Sequence, residues 1–564
     1  MTLGILNLCC QVNRPRIGRV RRILTDSDPR KSVQSAQSWS IERISICDSG
    51  FCLTLGCDKI ARPVFTYDAK SSYTKNAKRR PMKIVTPFLL LVGIAFGSAG
   101  SIAQGPAAER QQFIRVEAPV VVLTHVRIID GTGAEARDDQ TIVIADGKIQ
   151  SIGAGAPADL PANAQTIDLR GCTVLPGLVG MHNHMFFPMG GSPPMYSNMG
   201  ISFSRLYLAL GVTTIRTTGS VAPFTDLEIK RLIDAGRMIG PKMHITAPYL
   251  EGRGSFTPVM HELSGAEDAR KMVNFWADQG ATSFKAYMNI SRAELRAAVE
   301  EAHKRGLKVT GHLCSIGYRE AAEIGIDNLE HGLLADSEFV ANKQPDKCPG
   351  AAVGASLRQL DLNSAAVQDT IRTLVAKNVA ITSTLPVFEA GSAPLAPGGL
   401  GAASALLNPR VLNVMSTDAR VRYLTARSRV SSDPANVALL RKAMDFERAF
   451  VKAGGLLIAG LDPTGNGGIV AGFGDLRQVE LLVEAGFTPL EAIKIASFNG
   501  ARFLGEDARI GSIAVGKQAD LMVVRGNPAL NISEIEKVEI VFKDGVGYDS
   551  EKLIQSVQGL VGIR

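Results

Sequence analysis

The sequence predicts an α/β fold: a (β/α)8 TIM-like barrel with a small β-sandwich built from both ends of the mature chain. Three observations carry this expectation. Eight short apolar runs alternate with helical patterns between Thr173 and Leu461. The stretches on either side alternate apolar and polar residues around Gly-containing turns, the texture of hairpins. Most of the eight apolar runs end in a His, Lys or Asp, and barrels of this kind place their chemistry at the C-terminal ends of the strands.

The first eighty residues stand apart. Residues 1–81 hold 15 of the 62 Lys and Arg but only 6 of the 54 Asp and Glu, so the rest of the chain is close to neutral. The basic balance therefore belongs to this segment, and the body offers no basic patch that points to nucleic acid. Five of the eight cysteines also lie here (Cys9, Cys10, Cys47, Cys52 and Cys57). At Met82 the character changes. "MKIVTPFLLLVGIAFGSAGSIA" has a basic start, an apolar core and a small-x-small site ending at Ala103, the pattern of a secretory signal peptide. Its apolar core is short of the ~20 residues of a spanning helix. The expectation is a non-native or disordered extension over 1–81, a signal peptide over 82–103, and a periplasmic or secreted mature protein without stable membrane insertion. A genuine basic extension before an uncleaved anchor is the alternative.

The body follows in order. "VVVLTHVRIIDGTG" and "TIVIADGKIQSIGAG" read as hairpin strands, and residues 116–172 form the first part of the sandwich. Residues 173–500 form the barrel. Its candidate strands are Thr173–Leu178, Val212–Thr217, Lys242–Ala247, Thr282–Ala286, Leu307–Gly311, Ile326–Glu330, Val379–Thr384 and Leu456–Leu461. The helices between them show the 3.6-residue period. In "SRAELRAAVEEAHKRG", Leu295, Ala298, Val299 and Ala302 share a face and Gly306 stops the helix. The Gly/Ala/Pro-rich stretch "EAGSAPLAPGGLGAASALLNP" reads as a mobile lid or surface excursion. Strand texture returns in "ARIGSIAVGKQADLMVVRGNP" and "VEIVFKDGVGYD", so residues 501–550 complete the sandwich.

The strand ends carry the polar residues of interest. His182 and His184 follow the first run, Lys285 lies on the fourth, His312 and His331 follow the fifth and sixth, and Asp462 follows the eighth. Residues i and i+2 of a strand share a face, so the two rings of His-x-His look the same way. Taken singly, His312 and His331 fit hydrogen-bonded structural histidines, and Asp462 fits a helix N-cap. Together and in this order they point to a metal centre. His125, His244, His261 and His303 fall outside the pattern and are expected not to be ligands, with His303 solvated on a helix.

The motifs "PGLVGMHNH", "FKAY", "GHLC", "LEHG", "AGLDP" and "GSIAVGKQADLMVV" resemble the amidohydrolase superfamily, more narrowly its secreted members related to Xaa-Pro dipeptidases (prolidases) and imidazolonepropionase. The resemblance runs from about Val120 to Tyr548. It implies a barrel with a small sandwich and, by default, zinc, although Mn²⁺ or Co²⁺ also suits such ligands. Two positions depart from the family pattern: Gly180 where Asp is common before the first metal His, and Thr217 where Asp often follows the Arg.

An ammonium repels a cation and has no lone pair, so a ligating lysine must first change. Reaction with CO2 gives a carbamate, and in the resembled family a lysine at this strand end marks the two-metal subclass. Lys285 is therefore expected to be a carbamate bridging two divalent ions, one held by His182, His184 and Asp462 and the other by His312 and His331. An ion pair at the mouth and a clamp on a substrate carboxylate are the alternatives for Lys285. The expected chemistry is hydrolysis of an amide C–N bond in a dipeptide or N-acyl amino acid, with Asp462 as base and then acid. A cyclic amidine hydrolase or deaminase with one metal is the runner-up. A catalytically inactive periplasmic binding protein is the reading from another class.

Substrate contacts are sparser. Tyr287 is a candidate hydrogen-bond donor to substrate, or a packing tyrosine. Arg216 is a candidate for a substrate carboxylate, or one half of a structural ion pair. The apolar "MFFPMGGSPPMY" after His184 favours a hydrophobic acyl group. Cys314 and Cys348 fall in loops at the same mouth of an exported protein, so they are expected to pair and leave Cys172 buried and free. The partner is a small-molecule substrate, and a homo-oligomer is expected.

Overall fold

The computed structural model describes residues 106–155, 161–392, 408–430 and 433–562, all within one unit, Ser98–Arg564. The expected extension, the signal peptide and most of the Gly/Ala/Pro-rich stretch lie outside the described residues. Among the described residues no helix is long and apolar enough to cross a membrane.

Both ends of the body meet in one nine-stranded sheet. Its order runs Ile114–Val116, Val546–Asp549, Val538–Lys543, Leu521–Arg525, Cys172–Pro176, Val120–Ile128, Arg137–Ala145 and Lys148–Ala154, with Gln165–Asp168 also beside Val120–Ile128. The junction between the two ends is the antiparallel pair Leu521–Arg525 and Cys172–Pro176, with Val523 opposite Val174. Alternation explains why "LMVV" is apolar without a break. Leu521 and Val523 enter one core with Val174, Ile540 and Phe542, while Met522 and Val524 enter the larger core with Leu175 and Val541. A strand covered on both faces shows no polar alternation.

The remaining parallel strands are β1 (Leu178–Gly180), β2 (Val212–Arg216), β3 (Lys242–His244), β4 (Ser283–Ala286), β5 (Lys308–Gly311), β6 (Asn328–Glu330), β7 (Ala380–Ser383) and β8 (Leu457–Ala459). They form a three-stranded sheet, β1–β2–β3, and a five-stranded sheet, β4 to β8 in order. Backbone bonds join the two sheets at both edges. Thr282 N–H donates to Ile245 C=O (2.7 Å) and Ala247 N–H to Ser283 C=O (3.0 Å), while Met181 N–H donates to Ala459 C=O (2.8 Å). Every residue of β1, β2, β4, β6, β7 and β8 is buried, as expected for strands between a core and a layer of helices.

The first predicted strand needs correction. Thr173–Leu178 is not one barrel strand: Cys172–Pro176 belongs to the nine-stranded sheet and β1 starts at Leu178. The chain turns between them at Gly177, where a Cβ would lie 2.1 Å from Thr213 Oγ1. The apolar run continues across the turn, so periodicity alone gave no break. The helix after β4 forms as the sequence suggests. It spans Arg292–Lys304, is opened by a reciprocal Ser291/Glu294 cap, and buries Leu295, Ala298, Val299 and Ala302.

Candidate metal centre

The residues just past β1 and β8 face one another. Asp462 Oδ2 lies 3.8 Å from His182 Nε2, and Asp462 Oδ1 lies 3.5 Å from His184 Nε2. His331 Nδ1 is 4.0 Å from Asp462 Oδ2. The His182 and His331 rings are 4.6 Å apart, and the His331 and His312 rings 4.5 Å. Lys285 Nζ stands 3.2 Å from His182 Nε2. The structure therefore brings together His182, His184, Lys285, His312, His331 and Asp462, from five strand ends. His331 and Asp462 both adopt left-handed backbone, with φ of 70° and 50°. Such residues cost of order 1–3 kcal/mol each and persist where the surroundings over-determine them.

Hydrogen bonds behind the rings fix which nitrogen faces inward. His182 Nδ1 lies 2.7 Å from the Glu330 carboxylate. His184 Nδ1 donates to the carbonyls of Thr217 (2.9 Å) and Gly219 (3.1 Å). These acceptors place the proton on Nδ1 and turn the Nε2 lone pair toward Asp462, the arrangement typical of metal-binding imidazoles. His331 Nδ1 is 2.7 Å from the Thr384 hydroxyl. Burial, reinforced by the nearby Lys285 cation, lowers His182 to about 4 and His312 to about 3. His331 is pushed well below its ordinary value, first by burial and then by the neighbouring rings. Asp462 is held well below the usual carboxylate range, because the surrounding imidazoles outweigh its burial. Neutral imidazoles around an ionised carboxylate form a donor set suited to a divalent cation of the zinc class. His182, His331 and Asp462 offer ligand atoms all within 4.8 Å of one another.

Burial lowers Lys285 to about 8, against the pull of Glu330 and Asp462. Its Nζ sits 5.4 Å from the Tyr249 ring and 5.7 Å from the Tyr287 ring. Gly219 permits this packing, since a Cβ there would lie 2.6 Å from the Tyr249 ring.

Arg216 occupies a different place from a substrate clamp. It is buried behind the centre, donating to Glu330 Oε1 (2.8 Å), Asn328 Oδ1 (2.8 Å) and the Met181 carbonyl (2.8 Å). Of the two readings of Arg216, the structural ion pair is the one its contacts match. Desolvation explains why: a guanidinium on the interior of a covered strand needs a partner carboxylate, and Glu330 supplies it. Tyr287 lines the cavity above the centre, with its ring 5.1 Å from His312. Cys314 and Cys348 form a disulfide with Cα atoms 4.7 Å apart, and Cys172 is buried and free. His125, His244, His261 and His303 lie elsewhere, beside Asp139, Glu506, Asp268 and Asp327 respectively.

Three residues packed around the metal centre were not expected from the sequence: Glu330, Thr384 and Tyr249. Glu330 carried a usable signal, because a carboxylate between Leu329 and His331 on a covered strand must be paired. Thr384 closed a predicted strand and so shared the position of the ligands, whereas Tyr249 had no signal. The cavity has a volume of about 540 Å³ and is walled by aromatic side chains, including Phe186, Tyr196, Phe256 and Phe388.

The pattern of the Amidohydrolase family matches residues 173–546. The chain belongs to the amidohydrolase family. Among solved structures, it is similar to a provisionally assigned prolidase from Bifidobacterium longum, with 25% identity, a TM-score of 0.54, and coverage of 78% of this chain and 99% of that one. A Xaa-Pro dipeptidase with methionine in its active site shares the fold at 20% identity and a TM-score of 0.55, over 76% of this chain and all of the other. A bottromycin amidohydrolase does so at 21% and 0.57, over 78% and 91%. An uncharacterized protein of Mycobacterium tuberculosis is 28% identical over 229 residues, 39% of this chain and 58% of the relative. A deacetylase of Agrobacterium fabrum is 33% identical over 106 residues, 19% of this chain and 24% of the relative. The chain thus matches little more than half the length of the mycobacterial relative.

Proposed function

We propose that the protein is a metal-dependent hydrolase that cleaves the amide C–N bond of a dipeptide or N-acyl amino acid. One observation carries the reading: Asp462 stands within 4.0 Å of three imidazoles, beside a buried lysine, at the floor of an aromatic cavity. In this reading the bonds at both sheet edges close β1 to β8 into a (β/α)8 barrel, and the nine-stranded sheet is the small β-sandwich.

Two divalent ions, zinc by default, fit the donor set. His182, His184 and Asp462 would hold one, and His312 and His331 the other. Lys285 would lie between them as a carbamate, formed when its neutral amine adds to CO2 and releases a proton. Bound there, such ions supply Lewis acidity, bringing the pKa of a water toward neutrality and polarising a carbonyl. The chain's own residues do the rest. Asp462 accepts the proton from the attacking water and returns it to the leaving nitrogen. Glu330 and the Thr217 and Gly219 carbonyls keep His182 and His184 in the ligating tautomer. Tyr287 donates to the substrate, and the aromatic wall excludes water and holds an apolar acyl group.

The signal-peptide pattern at Met82 and the Cys314–Cys348 disulfide both support export to the periplasm or beyond. The partner is a small molecule, and the assembly is read as a homo-oligomer. Incubating zinc-loaded protein with N-acyl amino acids and Xaa-Pro dipeptides tests the function. Release of the free amino acid is expected, and absence of turnover across the panel refutes the reading.

A further inference from the structure

With Arg216 spent on Glu330, the cavity needs another cation if it is to select a carboxylate. Among the described residues that line it, Arg422 is the only arginine. It lies on the helix Thr417–Ser428, sharing a face with Ala419 and Ala426, which also line the cavity. Its Nε is buried and has no hydrogen-bond partner, and one Nη is buried with a single ionic partner. Asp418, one turn earlier, brings an oxygen to 2.9 Å from that Nη, but the pair is substantially exposed, at 33% and 64%. An exposed i,i+4 pair holds its cation weakly. The other Nη lies beside Gly190, in left-handed backbone with φ of 73°, where a Cβ would stand 3.2 Å away. A side chain at 190 would crowd this nitrogen, and Gly190 lines the same cavity. Asp462, the one other carboxylate-bearing or strongly charged group in the lining besides Lys285, belongs to the metal centre.

We propose that Arg422 determines specificity by binding the free carboxylate at the amino-acid end of the substrate. This rests on the amide-hydrolase reading and names its substrate class: N-acyl amino acids and dipeptides with an unblocked carboxylate are accepted over their carboxamides. A guanidinium fork matches a carboxylate in shape and charge, and a carboxamide forfeits the ion pair.

The test uses zinc-loaded enzyme and reduced-amide analogues of N-benzoyl amino acids, in which the scissile carbonyl is a methylene. Each is titrated calorimetrically as the free acid and as the primary amide. The acid is expected to bind wild type roughly 10- to 100-fold more tightly, the range of a charge-assisted hydrogen bond. Arg422→Met should bind the two alike, and Arg422→Lys should recover part of the preference. With hydrolysable N-benzoyl amino acids, Arg422→Met should raise KM and leave kcat near wild type. An Arg422→Met variant that keeps the preference overturns the proposal, as does a wild type that binds both forms alike or binds neither. An Arg422-dependent preference without turnover of any amide would instead refute the hydrolase reading and leave the carboxylate subsite standing.

Discussion

Replacing Glu330 by Gln alters one atom behind the centre and should be felt in metal affinity. One carboxylate oxygen of Glu330 receives Arg216 Nη2 at 2.8 Å and also the Thr310 hydroxyl. The other lies 2.7 Å from His182 Nδ1. A Gln has one oxygen for both sides. If it faces Arg216, its NH2 group meets the Nδ1–H of His182, donor against donor. His182 relieves that clash by moving its proton to Nε2, which removes the lone pair turned toward Asp462. Partners of this kind typically change metal affinity by about 10–100-fold, or about 1.4–2.7 kcal/mol. Competition for Zn²⁺ against a chromogenic chelator measures the change, and kcat/KM should fall with it. Glu330→Ala is a poorer probe, because it leaves the buried guanidinium uncompensated at a cost of about 3–5 kcal/mol. Glu330→Gln protein that is folded and matches wild type in zinc affinity would refute the reasoning.

Three other outcomes follow from the structure. Asp462→Asn should lower kcat by roughly 10²–10⁴-fold while the protein stays folded by circular dichroism, and wild-type turnover would exclude Asp462 as the proton carrier. Asp226 is raised by burial from 3.8 to about 6, against hydrogen bonds from Ser220 and Asn198. The folded state therefore holds its proton more tightly than the unfolded chain, and ionisation at higher pH costs stability. Asp226→Asn should be more stable than wild type above about pH 6, by up to about 3 kcal/mol. That advantage should shrink as pH falls through 6 and vanish near 3.8, so equal denaturation midpoints at pH 8 would contradict it. Cys348→Ser opens the loop closed across 34 residues and should cost about 3–4 kcal/mol in chemical denaturation, whereas an unchanged midpoint would show that the bond does not constrain the unfolded chain.

Much of the site was legible because strand ends punctuate the sequence. An apolar-rich run such as "LKVTG" or "LLIAGL" stops at His312 or Asp462, and the topology carries those stops to one end of the parallel strands. The order of His, Lys and Asp was enough to anticipate that six side chains meet. Boundaries within continuous apolar sequence were not legible. Thr173–Leu178 read as one strand because neither half alternates, and the steric requirement for Gly177 comes from Thr213, more than thirty residues away. Arg216 illustrates a different limit. A sequence gives its charge but not its direction, and a cation inside a covered strand had to be matched with Glu330 before either could be assigned. Arg422 arises from the opposite difficulty. It lies on a helix without any motif, and only the folded chain sets it against Gly190 and the cavity.

The central claim is that six side chains hold two divalent ions with Lys285 between them. Diffraction from zinc-loaded crystals, with anomalous maps at the zinc edge, tests it most directly. Two peaks ~3.5–4 Å apart are expected, one against His182, His184 and Asp462 and one against His312 and His331, joined by extra density on Lys285 Nζ. A single peak with an unmodified Lys285, or zinc bound elsewhere, would contradict the account.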